Sequence, residues 1–285
     1  MARFGEQLGF DSVWVGDHLL YRDETHGARG PWEAWTTLAG IAAATSRIAI
    51  GPLVACTSFH SPTMLAKLAS TVDEISGGRL VLGLGAGWNE TEYRAFGFPF
   101  DRRVSRFAEA FTIIRSLLRD GRVDFTGEFY VARDCELVPR PRPGGPPLMV
   151  GSSGDRMLAL TVPYVDAWNA WFTTTKNRPE GVPPLRAKVD AACRAAGRDP
   201  GEVERTVAVY VRLGGSGRQQ GGPAVSTPAI EGTPEVIADA LRGFAREGIS
   251  HVQLVLDPIT EASLEALAPV LDQLDADPLL RPSPR

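Results

Sequence analysis

The chain has 285 residues, of which 44% are hydrophobic and 22% charged, with a formal net charge of −4. That balance excludes a disordered chain and a coiled coil, and a chain of this length buries enough surface to fold without disulfides or a structural metal. With 30 Lys and Arg against 34 Asp and Glu there is no overall attraction for polyanions, although 140–142 is locally basic, so nucleic acid is not an expected partner.

The first residues, 2–8, read as the end of a helix with Gly9 as its C-cap, and they lead into a short apolar run, SVWV (12–15). Similar runs follow as IAIGPLVA (48–55), RLVLGLG (79–85), PLMVG (147–151), DAWNAW (166–171), TVAVYVRL (206–213) and HVQLVL (251–256). They are rich in β-branched residues and lack strict polar alternation, which predicts parallel strands buried on both faces. Stretches with helical period alternate with them at 33–45, 62–75, 103–119, 154–162, 185–196, 234–247 and 261–274. The helix at 234 has a clear start, with Thr233 as capping hydroxyl and Pro234 at its first position; Val236, Ile237, Ala240, Leu241 and Phe244 then recur along one face.

Two segments break the alternation. VDFTGEFYVARDCELV (123–138) reads as a β-hairpin turning at Thr126-Gly127, and GGSGRQQGGP (214–223) as a glycine-rich loop that is a candidate lid. The repeated βα units predict an α/β fold, a (β/α)8 TIM-type barrel that lacks its first strand in this chain, with one domain over 1–276 and a loose tail at 277–285.

Cys56, Cys135 and Cys193 are odd in number, far apart and without C-x-x-C spacing, so they read as reduced thiols, which points to a cytoplasmic location and away from a zinc site. No run approaches the ~18 apolar residues of a membrane span, and the N-terminus lacks the layout of a signal peptide.

In a barrel, chemistry belongs just beyond the C-terminal ends of the strands. Gly16-Asp17-His18 follows SVWV; the imidazole could exchange a proton, oriented by the adjacent carboxylate, or could simply fill the barrel mouth. His26, His60 and His251 read as loop or surface groups. Val54-Ala55-Cys56-Thr57 ends a strand in small and β-branched side chains, offering either a surface for a flat ring or an ordinary packed strand end. In GLGAGWNE (83–90) the alternating glycines either admit a ligand close to the backbone, with Trp88 as an aromatic wall and Asn89 as an amide, or serve tight strand-to-loop packing. The spacing is not a dinucleotide fingerprint. Gly151-Ser152-Ser153-Gly154 precedes a short helix, where its N–H groups and hydroxyls suit an anion such as a phosphate, unless a serine only caps the helix. Glu90 and Glu92 lie too close in sequence to define a hydrolase pair, and no G-x-S-x-G, P-loop or H-E-x-x-H motif is present.

Taken together, WVGDH (14–18), LVACTSFHSP (53–62), ISGGRLVLGLGAGWNETEYRAFGFPF (75–100) and GSSGDRML (151–158) resemble the bacterial luciferase-like superfamily, and within it the branch that uses the deazaflavin coenzyme F420. The resemblance implies a barrel with flavin or deazaflavin across its C-terminal mouth, and a homodimer. It implies His18 and Asp17 as the catalytic pair and a non-proline cis peptide near Ala55 and Cys56, with Val54 in the same strand end. Gly87, Trp88, Asn89 and Tyr93 correspond to the cofactor-mouth segment, and Gly151, Ser152, Ser153 and Gly154 to the phosphate-binding turn. An acid found in the equivalent of the Gly87-Trp88 loop of some F420-dependent sugar-phosphate dehydrogenases is absent, so their substrate is not implied. The expected activity is F420-dependent hydride transfer to or from a small organic substrate; the alternatives are an FMN-dependent monooxygenase and a non-catalytic cofactor-binding protein.

Overall fold

The computed structural model of the chain describes residues 1–24, 27–214 and 226–277. His26, all of the proposed lid except Gly214, and the proposed tail beyond Asp277 lie outside the described residues.

The apolar runs become parallel strands: β1 (Ser12–Val15), β4 (Ala49–Pro52) continued after a bulge by β5 (Ala55–Cys56), β6 (Leu82–Gly85), β9 (Leu148–Val150), β10 (Ala167–Ala170), β11 (Glu204–Arg212) and β12 (His251–Asp257). Two antiparallel hairpins complete the strands, β2 (Tyr21–Asp23) with β3 (Gly27–Arg29), and β7 (Arg122–Thr126) with β8 (Val131–Glu136). The helices are α1 (Ala2–Gln7), α2 (Ala34–Ala44), α3 (Pro62–Ser76), α4 (Glu90–Phe96), α5 (Arg103–Asp120), α6 (Asp155–Thr161), α7 (Val182–Ala195), α8 (Pro234–Arg246), α9 (Glu261–Ala266) and α10 (Ala268–Asp275).

Each parallel strand pairs with the next in the chain. β1 pairs with β4, an isolated bridge from Ile50 to Leu80 joins β4 to the run that becomes β6, and β6 then continues through β9, β10 and β11 to β12. This regular progression curls the sheet into a barrel of the TIM type. β6, β9 and β10 are buried along their whole length, as continuous apolar runs require. Inside the barrel the Asn169 amide donates to Thr206 Oγ1 and to Gln253 Oε1, at 2.8 Å each, which links the polar side chains of β10, β11 and β12 and leaves the buried Gln253 Nε2 without a partner among the described residues.

Some local expectations shift. α8 starts at Pro234 after Thr233 as expected, but the Thr233 side chain makes no cap bond, and the buried stripe is Ile237, Ala238, Leu241 and Phe244, while Val236 is exposed. The hairpin at 122–136 forms because Glu109 of α5 accepts the backbone N–H groups of Glu128, Phe129 and Tyr130 at its turn. The hairpin β2–β3, between β1 and α2, was not anticipated from the sequence.

Among the described residues, β1 and β12 share no backbone ladder. They meet through side chains at their first residues: Ser12 Oγ lies 2.8 Å from His251 Nε2, and the Trp14 indole donates to the same hydroxyl at 2.7 Å. His251, read from sequence as a loop or surface group, is half-buried here, and burial pushes its pKa below the ordinary 6.5 against the pull of Glu204 and Asp11. A native state that keeps His251 neutral is fully stabilised above the unfolded value and loses stability as pH falls through 6.5 towards the lower native value. Denaturant titrations at a series of pH values check this: the wild type should lose up to about 1.4 kcal/mol per pH unit across that window, and His251→Gln should be correspondingly flatter.

Candidate active site

The C-terminal ends of the strands converge on one mouth, and β1, β4, β6 and β9 bring the motifs singled out in the sequence to adjacent positions around it. After β1 the chain turns at Gly16 and presents His18, whose ring centroid is 4.7 Å from that of Tyr21 and 5.7 Å from that of Trp88. Trp88 is 58% exposed and so offers an aromatic face at the rim.

The wall beside them comes from the bulge between β4 and β5, where the peptide Leu53–Val54 is cis. The resemblance put this bond near Ala55 and Cys56; it falls just before them. Val54 lies in a notch that only glycines allow: a Cβ would come to 2.9 Å from Val54 at Gly83, 2.7 Å at Gly85 and 2.9 Å at Gly151. The glycines at 83 and 85 therefore admit a neighbouring strand's side chain. At Gly87, with φ of +73°, an added Cβ would lie 2.2 Å from Tyr93 Oη and 2.5 Å from Cys56 Sγ.

Several expected site residues lie beneath this surface. Ala55 and Cys56 are buried, and Tyr93 is 0% exposed, its hydroxyl donating to the Ala86 carbonyl at 2.7 Å and lying 3.1 Å from Cys56 Sγ. Tyr93 packs with Phe59 and Phe100 under the Gly87 loop. Burial pushes the Cys56 thiol up to about 12, against the hydrogen bond shared with Tyr93, so it is no nucleophile near neutrality. These residues support the mouth and do not line it. Asn89 caps α4, and its side-chain amide donates to the Leu20 carbonyl at 3.0 Å, which ties the Trp88 loop to the segment after His18.

Asp17 does not play the part expected from its place next to His18. Its carboxylate is buried, accepts the Cys56 N–H at 2.8 Å and faces His60 Nε2 at 3.6 Å, which fastens β1 to β5. His18 is held by Glu92 of α4. Glu92 Oε2 is 3.0 Å and Oε1 3.1 Å from His18 Nδ1, and Oε1 also accepts the N–H groups of Leu19 and Leu20 at 2.7 and 3.0 Å. Glu92 is 1% exposed; burial pushes its carboxyl up, but the hydrogen bonds from His18 and the Leu20 and Leu19 N–H groups outweigh it and hold the pKa below its usual range.

Gly151 to Gly154 pass from β9 to α6, and the indole of Trp168 fixes the turn by donating to the Ser152 carbonyl at 2.7 Å. Ser152 Oγ accepts the Gly154 N–H at 3.4 Å, a bond within the turn; the N-cap of α6 is Gly154 and has no side-chain cap bond, so the serine cap that the sequence left open as an alternative does not form. Arg156, in the first turn of α6, donates to Ser105 at 2.9 Å. On β11 and β12, Tyr210 donates to Asp257 Oδ2 at 2.6 Å, with Arg212 beside them.

Sequence reasoning missed Glu92, Trp168, Tyr210 and Asp257, which are buried and brace the strand ends. Asp257 is the last residue of β12, where the barrel rule could have found it; Glu92 and Trp168 act across distances that local spacing does not reveal. Loss of the Asp17 acceptor leaves the Cys56 N–H buried without a partner, so Asp17→Ala should lower unfolding free energy by about 1–3 kcal/mol and Asp17→Asn by less, as measured by denaturant titration.

Residues 1–216 match the family of luciferase-like monooxygenases. Among curated relatives, the pyrimidine monooxygenase RutA of Cronobacter sakazakii is 37% identical over 174 residues, covering 59% of this chain and 50% of its own length. The protein of that name from Escherichia coli strain SE11 is 36% identical over 174 residues, covering 59% of this chain and 45% of its own. The chain thus spans about half the length of the curated relatives it matches. The fold superposes on an F420-dependent secondary alcohol dehydrogenase in complex with an F420-acetone adduct, with a TM-score of 0.79 and 20% identity over 99% of this chain and 93% of that one. It also superposes on the monooxygenase RslO1 from Streptomyces bottropensis, with a TM-score of 0.77 and 22% identity over 96% and 92%. These two likenesses show the barrel fold, and the family match spans well over half of the sequence. The chain belongs to the luciferase-like monooxygenase family.

Proposed function

We propose that the protein is an F420-dependent oxidoreductase that moves a hydride between the deazaflavin C5 and a small organic substrate, with His18 as the acid–base group. The observation that carries this reading is His18 itself: an imidazole at a strand's C-terminal end, beside an exposed indole, gripped through Nδ1 by a buried carboxylate.

The residues at the mouth fit the cofactor. Between His18 and Ser152 the wall is backbone and Val54, because Gly85 and Gly151 carry no side chain, and such a surface suits a flat ring. Trp88 would cover the ring's edge. Gly151, Ser152, Ser153 and Gly154 would hold the phosphate through N–H groups and hydroxyls, with Arg156 close by. Ala55, Cys56, Gly87, Asn89 and Tyr93 hold that surface in shape, and Asp17 does the same for the bulge. When bound, the deazaflavin supplies the two-electron chemistry.

His18 takes the proton from a substrate hydroxyl as a carbonyl forms, and returns it in the reverse direction. Trp88 and Tyr21 limit the directions from which water reaches the imidazole. The fold likeness to an F420-dependent secondary alcohol dehydrogenase supports the same reading. A second reading, an FMN-dependent monooxygenase, is favoured by the 37% identity to pyrimidine monooxygenase RutA, and the serine turn would serve an FMN phosphate equally well.

Fluorescence titration with F420 and with FMN, followed by a panel of alcohols and ketones, tests the proposal. Substrate-dependent bleaching or recovery of the F420 absorbance is expected, whereas oxygen uptake with reduced FMN and no F420 turnover would overturn it in favour of the monooxygenase. His18→Ala should bind F420 within about threefold of wild type while losing about 10²–10⁴-fold in turnover.

A further inference from the structure

The structure assigns Glu92 the part of a positioning residue that sets which nitrogen of His18 bears the proton, a part that an amide cannot take over. This inference rests on the reading of His18 as the acid–base group, and its physical core concerns the imidazole alone.

Glu92 is an acceptor-only group when ionised, and it faces donors throughout. Oε1 takes the backbone N–H groups of Leu19 and Leu20, which can only donate, and Oε2 lies 3.0 Å from His18 Nδ1. A neutral imidazole next to an acceptor-only atom must carry its proton on the facing nitrogen. Nδ1 is therefore the N–H, and Nε2 is left as a lone pair for the substrate. The chain sets this up from distant parts: Glu92 lies 74 residues from His18 in sequence, on α4, whose N-cap Asn89 also grips Leu20. The carboxylate itself is 1% exposed, so water does not compete for it.

The arrangement makes Glu92→Gln a specific reversal. The glutamine oxygen must stay with the two backbone donors, because an NH2 there would meet N–H groups at 2.7 and 3.0 Å. The NH2 then takes the place of Oε2 and can only donate to Nδ1. Nδ1 becomes the acceptor, the proton moves to Nε2, and the nitrogen offered to substrate changes from proton acceptor to proton donor with no change in side-chain volume. A comparable wrong-tautomer substitution in the serine-protease triad costs about 10⁴ in turnover.

Nitrogen-15 NMR of the histidine rings, at a pH where His18 is neutral, reads the tautomer directly in the full-length protein. Wild type should show Nδ1–H, Glu92→Gln should show Nε2–H, and Glu92→Asp, which keeps an acceptor-only group, should retain the wild-type form. The same variants assayed with F420 and substrate should show Glu92→Gln down about 10²–10⁴-fold in kcat with KM within about threefold. Wild-type His18 carrying its proton on Nε2, or a folded Glu92→Gln that leaves the tautomer unchanged, would overturn the inference. If Glu92→Gln does not fold, the wild-type and Glu92→Asp spectra decide it. A tautomer that reverses in a protein without F420 turnover would sink the functional reading and leave this one standing; loss of turnover in His18→Ala with no reversal in Glu92→Gln would do the opposite.

Discussion

The Glu92 carboxylate is buried where four contacts converge, and the shape of the mouth depends on it. Leaving an ionised group out of water is costly unless every lone pair has a donor, and here the donors are the ring of His18 and the N–H groups of the next two residues. The segment after β1 is therefore held to α4, and α4 follows β6. Two strand ends that are not direct neighbours in the sheet are locked together above it, and Trp88, between β6 and α4, is carried into place beside the imidazole. Asp17 does for β1 and the bulge what Glu92 does for β1 and α4, with a single backbone donor.

Beneath this pair of carboxylates lies a steric arrangement of equal importance. Val54 occupies space that any side chain at positions 83, 85 or 151 would need, and the Cys56–Tyr93 contact occupies the space at position 87. Small residues at the ends of β6 and β9 thus let the bulge close over the barrel and leave a smooth surface. The glycine pattern that looks like a ligand-binding loop in sequence is explained first by packing, and the surface suited to a ring is its by-product.

Much of the fold was legible because parallel strands in a barrel are buried on both faces and so read as unbroken apolar runs; RLVLGLG and TVAVYVRL each became such a strand, and SVWV became one that is partly buried throughout. The helix beginning at Pro234 was placed well but its buried face was rotated: Val236 and Ala238 lie about 200° apart on either side of the Ile237, Leu241 and Phe244 stripe, and sequence does not show towards which of them the covered face extends. The site was legible in outline, as strand ends carrying His18, Val54, Trp88 and Ser152. What sequence could not supply was depth and direction. Tyr93 and Cys56 sit in the same motif as Trp88 yet under it, and adjacency suggested Asp17 as the partner of His18 when the side chains of consecutive residues point apart. Glu92, set aside as half of an unconvincing acid pair, was within view throughout, but its partner is 74 residues away.

The meeting of β1 with β12 through Ser12 and His251 lies away from the mouth. That contact joins the first residues of both strands, at the base of the barrel, while His18 and Asp257 lie at or beyond the opposite ends. Among the described residues these side-chain bonds, with the Trp14 indole on the same hydroxyl, tie β1 to β12 in place of a backbone ladder. A substitution at Ser12 or His251 would therefore act at the end of both strands that lies farthest from the His18 imidazole.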